Sequence, residues 1–424
     1  MVDYIDLDYE PTEKDLVAMY YVDKADSCED LKHACMEIAK ESSIGTWTEI
    51  LTMSEDIAKR LKPSVFSIDD ERQIVKIAYT EDLFENGNMS QILSAVAGNI
   101  FGMKKLNNLR LLDILFPENI VKSYKGPKFG IEGIRNLTKV SERPLLGTIV
   151  KPKVGLNEKD HAEVCAQAWR GGLDIVKDDE NLTSMVFNPF EERISRTLER
   201  RDEIEEDTGE KKIYMPNITA TVNVMKKRAD FVKSQGGEYV MIDIVTTGFA
   251  AVMEMREYLD TMDLVIHAHR AMHAAFTRVK THGITMLTLA KIMRLIGVDQ
   301  LHTGTIIGKM EGEKQEVLNI NKNITQDSIA RNDGTMLEQN WYGLKPVLPV
   351  ASGGLNPLDV PELINILGID MVFQFGGGTH GHPDGTEAGA RAIRQAVDAT
   401  LNNINLKEYA ETHPDLNRAF EKWG

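Results

Sequence analysis

The chain has 424 residues, a hydrophobic fraction of 42%, a charged fraction of 27% and a formal charge of −16. That is the composition of a folded, water-soluble protein long enough for two domains, one of them large. The acidic balance and the lack of a basic stripe argue against a nucleic-acid partner, and no apolar run approaches the roughly 18 residues of a membrane span.

The amino terminus, Met1 to Glu10, is acidic and has no apolar h-region, so no signal peptide is expected. Three cysteines, Cys28, Cys35 and Cys165, lack paired metal spacing. They argue against a disulfide framework or a zinc site and for a reducing, cytoplasmic setting. Within residues 1–125, Asp15–Tyr21 and Val75–Thr80 read as strands, and Cys28–Lys40 and Gln91–Gly98 read as helices. The alternation is irregular, which predicts an α+β domain of mixed topology. A Pro- and Gly-bearing stretch, Pro117–Gly133, marks the boundary with a second domain over 126–424.

From about Leu145 the chain repeats one pattern, a short β-rich run followed by an amphipathic stretch. The predicted strands are Leu146–Lys151, Leu173–Lys177, Ile213–Asn217, Tyr239–Val245, Leu264–His269, Gln300–Thr305, Val347–Ala351 and Met371–Phe375. The predicted helices are Asn157–Arg170, Pro189–Asp207, Val222–Gln235, Phe249–Met262, Gly283–Ile296, Pro357–Leu367 and Glu387–Asn403. Such alternation signals βαβ units and a parallel sheet. Eight strands fit a closed (β/α)8 TIM barrel; an open doubly wound sheet is the alternative. The polar stretch Gly304–Gly343 exceeds a simple connection, and its start, Gly304–Gly312, reads as a mobile loop.

Barrel chemistry gathers at the carboxyl ends of the strands. Those ends carry Lys151 and Lys153, then Lys177, Asp179 and Glu180, then His267, His269 and Arg270, then His302 with Lys309 beyond it. The last two carry Ser352-Gly353-Gly354 and Gly376-Gly377-Gly378. Side chains alternate along a strand, so Leu173, Ile175, Lys177 and Asp179 share one side. Two carboxylates suit Mg2+, but an ammonium repels it. The lysine makes sense if CO2 converts its amine to a carbamate, a third oxygen ligand. An exposed ion cluster at a strand end is the simpler explanation of that run taken alone. The glycine pairs suit a phosphate, and Arg270 with His302 suits a second. Two phosphate sites about a central metal imply a short bisphosphate. Crowding by Lys153 and Lys309 would lower the pKa of Lys151 and fit it for proton shuttling.

These motifs, in this order, resemble ribulose-1,5-bisphosphate carboxylase/oxygenase, the RuBisCO large chain. The resemblance runs through Glu41–Thr48, Gly98–Gly102, Gly147–Lys153, Gly171–Asp174, Lys177–Glu180, His267–His273, His302–Thr305, Gly308–Gly312, Ser352–Gly354 and Gln374–Gly378. It is closest to the archaeal form III group. It implies a ferredoxin-like amino-terminal domain before the barrel, and carboxylation and oxygenation of ribulose 1,5-bisphosphate with CO2 or O2. It further implies Mg2+ held by Asp179, Glu180 and Lys177 as N6-carboxylysine. On this resemblance Lys151, Lys177, His269, Lys309 and Glu41 are catalytic. Substrate is bound by Thr46, Trp47, Asn99, Lys153, Arg270, His302, Ser352, Gly353, Gly354, Gln374, Phe375, Gly376 and Gly377. The resemblance also implies a homodimer, or rings of dimers, whose Glu41 and Asn99 serve the partner's barrel. Nucleoside (AMP) salvage, or a related carbon-fixing route, is the implied setting. Ile149, Thr303 and His380 depart from the plant pattern. The rival is a RuBisCO-like enolase or isomerase of sulfur salvage, a relative in which several residues of this set are lost. A non-catalytic sugar-phosphate binder is a further alternative, and it would need no proton shuttle.

Overall fold

The computed structural model describes residues 2–46, 48, 51–308, 311–332 and 334–424, except the side chains of Glu311 and Gly312. Two compact units emerge. One comprises Met1–Gly126, Met272–Ile296 and Gln326–Leu344; the other comprises Pro127–Ala271, Gly297–Thr325 and Lys345–Gly424.

The strands, in chain order, are β1 (Asp15–Lys24), β2 (Ser64–Asp69), β3 (Ile74–Thr80), β4 (Leu106–Leu115), β5 (Leu145–Ile149), β6 (Ile175–Lys177), β7 (Ile213–Met215), β8 (Tyr239–Asp243), β9 (Val265–His269), β10 (Gly283–Ile284), β11 (Gln300–His302), β12 (Ser328–Ile329), β13 (Gln339–Asn340), β14 (Leu348–Ser352) and β15 (Val372–Gln374).

In the first unit a five-stranded sheet runs β10-β4-β1-β3-β2. The pairs within β2, β3, β1 and β4 are antiparallel, and β10 joins β4 in parallel. Leu31, Ala34, Cys35 and Ile38 form the buried stripe of the helix Leu31–Glu41, at helical spacing. Its start is capped by Asp30, whose carboxylate accepts from the His33 amide at 2.6 Å. The predicted helix Gly283–Ile296 begins instead as β10 and turns helical only at Met286. Thr285 caps that turn through the Thr288 amide at 3.1 Å. Every residue of Met286–Ile296 is buried, Lys291 included, and Lys291 Nζ sits 2.8 Å from Asp113 Oδ1 on β4. β2 and β4 are absent from the sequence reading, because polar residues interrupt their alternation.

In the second unit all eight predicted barrel strands pair in the order β7-β6-β5-β15-β14-β11-β9-β8. Every pair within that sheet is parallel. The ends meet where Met241 N donates to Pro216 O at 2.8 Å and Ile218 N donates to Met241 O at 3.1 Å, closing the barrel. The open doubly wound alternative is thereby excluded.

Alternate residues face the barrel interior, and polarity rises along its axis. The amino-terminal layer is Leu145, Ile175, Ile213, Tyr239, Val265, Leu348 and Val372, packed with Ile134. Ile134 lies on the helix Gly130–Thr138, which seals this end with Phe129, Ile131 and Leu137 against the same cluster. The stretch expected to be a linker thus contains a plug. At the other end the strands deliver Lys177, Asp243, His269, His302 and Ser352. Burial of apolar side chains at one end leaves the other as the place for a ligand.

The long connection after β11 is not all loop. A helix runs over Glu311–Thr325, with Val317, Ile320 and Ile324 as its buried stripe. Its many asparagines and weak amphipathicity disguised it. The expected lid residue Lys309 lies outside the described residues.

Candidate active site

The acidic run after β6 divides. Lys177 points into the barrel: its ammonium donates to Asp178 O at 2.8 Å and lies 3.4 Å from Met241 Sδ. No carboxylate among the described residues pairs with it directly, although it is 1% exposed. Burial lowers its pKa from 10.5, against the opposing pull of Glu180, Asp179, Asp243 and Asp178. Asp179 also turns inward. Lys151 Nζ donates to its Oδ2 at 2.8 Å, and Asn181 holds Oδ1 through its backbone and side-chain amides at 3.1 and 2.9 Å. Burial would raise the Asp179 pKa, but Lys151 and Asn181 outweigh it and the net shift is downward. Glu180 lies 4.0 Å from Lys153 Nζ and 3.7 Å from His269 Nε2. Lys151, Lys153, Lys177, Asp179, Glu180 and His269 therefore converge.

Histidines line the opposite wall. His269 Nδ1 contacts Asp243 Oδ1 at 2.6 Å, an acid that the sequence reading did not single out. His267 links Gln300 at 2.8 Å to His302 at 3.0 Å, and His302 Nδ1 reaches Ser352 Oγ at 2.9 Å. Burial pushes His267 down to about 3 and His302 well below 6.5. Both are neutral at physiological pH, and both ring nitrogens of His302 are already engaged. Arg270 has no hydrogen-bond partner among the described residues; burial lowers it to about 10, with Glu316 opposing. A Cβ at Gly304 would lie 3.0 Å from the guanidinium of Arg270, so glycine there makes room for the fork.

The glycine-rich ends differ among themselves. Gly353 and Gly354 have φ of +114° and +70°, a backbone that side chains resist. A Cβ at Gly377 would meet nothing within 4 Å, and one at Gly376 would meet only side-chain carbons of Lys151 and Ile149, at 3.7 and 3.8 Å. Gly378 is different: a Cβ there would strike Leu355 O at 2.4 Å, so this third glycine serves packing. Gln374 is buried inside the barrel with both amide atoms unpartnered. The Phe375 ring is buried, and its carbonyl accepts from Thr148 and Thr379 at 2.9 and 2.6 Å. His380 bridges Thr148 and Thr386 at 2.9 and 3.0 Å, so the departure noted there is a polar clamp behind the glycines. In the first unit Asn99 Nδ2 donates to Glu41 Oε1 at 3.5 Å. Thr46 is described and half-buried; Trp47 lies outside the described residues.

Two carboxylates and an underpaired amine suit a hard divalent cation. Among the described residues no three His, Cys, Asp or Glu side chains converge as a metal site.

Fold and mouth together define a (β/α)8 barrel enzyme of the lysine–carboxylate type. Comparison with known proteins specifies it. Residues 130–423 match the ribulose bisphosphate carboxylase large chain catalytic domain, and residues 3–120 match the N-terminal domain of the same large chain. The chain belongs to the RuBisCO large-chain family. It is 52% identical to the ribulose bisphosphate carboxylase of Methanocaldococcus jannaschii over 430 residues, covering 100% of both chains. It is 50% identical to that of Methanosarcina mazei, covering 99% of each. Among solved structures, octameric Rubisco from Pyrococcus horikoshii OT3 is similar at a TM-score of 0.92 and 48% identity, over 99% of this chain and 96% of that one. Dimeric archaeal Rubisco from Hyperthermus butylicus is similar at a TM-score of 0.94 and 41% identity, over 99% and 98%.

Proposed function

We propose that this chain is a ribulose bisphosphate carboxylase/oxygenase, converting ribulose 1,5-bisphosphate, CO2 and water to two molecules of 3-phosphoglycerate. The observation that carries the reading is Lys177: a fully buried amine without an ion pair, beside Asp179 and Glu180, in a chain that matches both domains of the family. Its depressed basicity favours the neutral amine, the form that adds to CO2 to give a carbamate and release a proton. That carbamate, with Asp179 and Glu180, would hold Mg2+, which supplies Lewis acidity toward the sugar's oxygens.

The remaining roles belong to the chain's own groups. Lys177, once carbamylated, would provide the base for the C3 proton of the sugar. Lys151, whose ammonium donates to Asp179 at 2.8 Å, serves C2 and finally protonates the carbanion left by C–C cleavage. His269, oriented by Asp243, acts on the C3 hydroxyl during hydration. Lys309 stabilises the carboxylate formed from CO2. Arg270, His302 and Ser352 hold one phosphate; Gly353, Gly354, Gly376 and Gly377, with Thr46, Trp47 and Lys153, hold the other. Gln374 and Phe375 support the glycine turn. Octameric and dimeric Rubisco among the similar structures support a homodimer or a ring of dimers, with Glu41 and Asn99 serving a partner's barrel. The two family-domain matches, 3–120 and 130–423, support a division at 1–125 and 126–424, although the first compact unit also takes in 272–296 and 326–344. Free, buried Cys28, Cys35 and Cys165 support a reducing cytoplasm, and ribulose bisphosphate would come from AMP breakdown or a related carbon-fixing route.

The test is direct. After incubation with CO2 and Mg2+, labelled CO2 and ribulose bisphosphate should yield labelled 3-phosphoglycerate. Label at background level ends the proposal.

A further inference from the structure

The acidic run contains three carboxylates, and the first of them takes no part in the mouth. Asp178 is 0% exposed and points outward, into the layer between the barrel and its helices. Four groups meet its carboxylate. Tyr214 OH donates to Oδ1 at 2.6 Å, and His161 Nε2 lies 3.2 Å from the same oxygen. Arg193 lies 3.1 Å from Oδ2, and the Asn217 amide donates to Oδ2 at 2.9 Å. Arg193 is itself fully buried and also ties down Thr183 O at 2.7 Å and Asn188 O at 3.2 Å. Burial of Asp178 opposes ionisation, but Arg193, His161 and Tyr214 overcome it and hold the carboxylate ionised.

Asn217 works on both sides of this run. Its backbone amide binds Asp178, while its side-chain amide donates to the carbonyls of Asp179 and Glu180 at 3.4 and 3.1 Å. The turn is thus fixed at three consecutive residues from outside the mouth. Alternation then leaves Lys177 and Asp179 facing inward, with the Asp178 carbonyl receiving the Lys177 ammonium. A buried acid with four partners is costly to rotate or withdraw.

We propose that Asp178 and Asn217 are positioning residues: together they hold Lys177, Asp179 and Glu180 in the arrangement that captures CO2 and Mg2+, before either arrives. This rests on the reading of Lys177 given above. Supporting groups behind metal ligands typically change metal affinity about 10–100-fold when removed, and that is the effect expected here.

Three variants of the full chain test it. Asn217→Ala removes the side-chain bonds to the two carbonyls and the one its Oδ1 accepts from the Thr219 amide at 3.0 Å. Tyr214→Phe removes one bond to Asp178. Asp178→Asn discharges the partner of Arg193 and is the variant at risk of misfolding. Two readouts are independent of turnover: Mg2+ binding by calorimetry at fixed CO2, and labelled CO2 trapped covalently on the Lys177 peptide. Circular dichroism and thermal melting report the fold. Asn217→Ala should bind Mg2+ about 10–100-fold more weakly and trap less CO2 while keeping its spectrum, and Tyr214→Phe should show a smaller loss of the same kind. Wild-type binding and trapping in both variants, with or without a lowered melting temperature, would overturn the proposal and leave a packing role. Absence of trapping in the wild-type chain would instead sink the reading of Lys177, and the proposal with it.

Discussion

Two lysines in this molecule are equally hidden from water and chemically opposite. Lys291, in the first unit, meets Asp113 at 2.8 Å, and Asp113 is further bound by the amides of Ile114 and Leu337 at 2.7 and 2.8 Å. Lys177, in the second, has a carbonyl and a thioether. Burial lowers both ammonium pKa values; the Asp113 charge and hydrogen bond oppose the shift at Lys291, and more distant carboxylates oppose it at Lys177. A buried charge with its partner is structural. A buried amine without one is held in a costly state that a reaction can relieve. Burial therefore does not mark function; the missing counter-ion does.

The sharpest way to break this comparison is to replace each lysine with methionine. Lys177→Met should abolish carboxylation and CO2 trapping, measured with labelled CO2. Lys291→Met leaves Asp113 buried without its cation and should lower unfolding free energy by about 3–5 kcal/mol in a denaturant titration. The same titration on Lys177→Met should show a smaller loss than Lys291→Met, because no carboxylate is left buried without its partner. Equal destabilisation of the two variants would sink the distinction. Adding Asp113→Asn to Lys291→Met should recover part of the loss, with a coupling of about 0.5–3 kcal/mol. No coupling would mean the pair is incidental.

A weaker effect follows from the buried histidines. Burial lowers His267 from 6.5 to about 3 and His380 from 6.5 to about 4. The unfolded chain therefore takes up protons first as pH falls. The stability these rings contribute is fully present above about 6.5 and is lost as pH drops toward the folded values. The melting temperature of the metal-free chain should be flat down to about that pH and fall below it. His380→Leu should flatten the fall, though less than complete removal of the dependence, because His267 remains.

Much of the second unit was legible from its residues. The strand runs are β-branched and apolar, and each ends in polar or glycine residues, so the ends of β5 to β9, β11, β14 and β15 fall within three residues of their predicted positions. The convergence of Lys151, Lys177, Asp179, Glu180 and His269 followed from strand alternation and the barrel's polarity. What stayed hidden were single polar residues with no motif around them. Asp243 ends a strand expected to run on to Val245, and Asn217 looks like an ordinary turn residue after a proline. Each acquires its role only when a neighbouring strand, distant in sequence, is laid beside it. The helix Glu311–Thr325 was concealed by its asparagines, and β10 by its shortness.

Local chemistry alone settled that the chain would build parallel βαβ units and crowd charge at their carboxyl ends, because hydrophobic period and residue type act within a few positions. Alternation already set Asp179 on the face of Lys177 and Asp178 on the other, but it could not say what would hold the acid turned away from the mouth. That was decided when Arg193, His161, Tyr214 and Asn217, drawn from other elements, enclosed Asp178. Placing an ionised carboxylate inside a protein is favourable only where partners already wait, and assembling those partners is the work of tertiary packing.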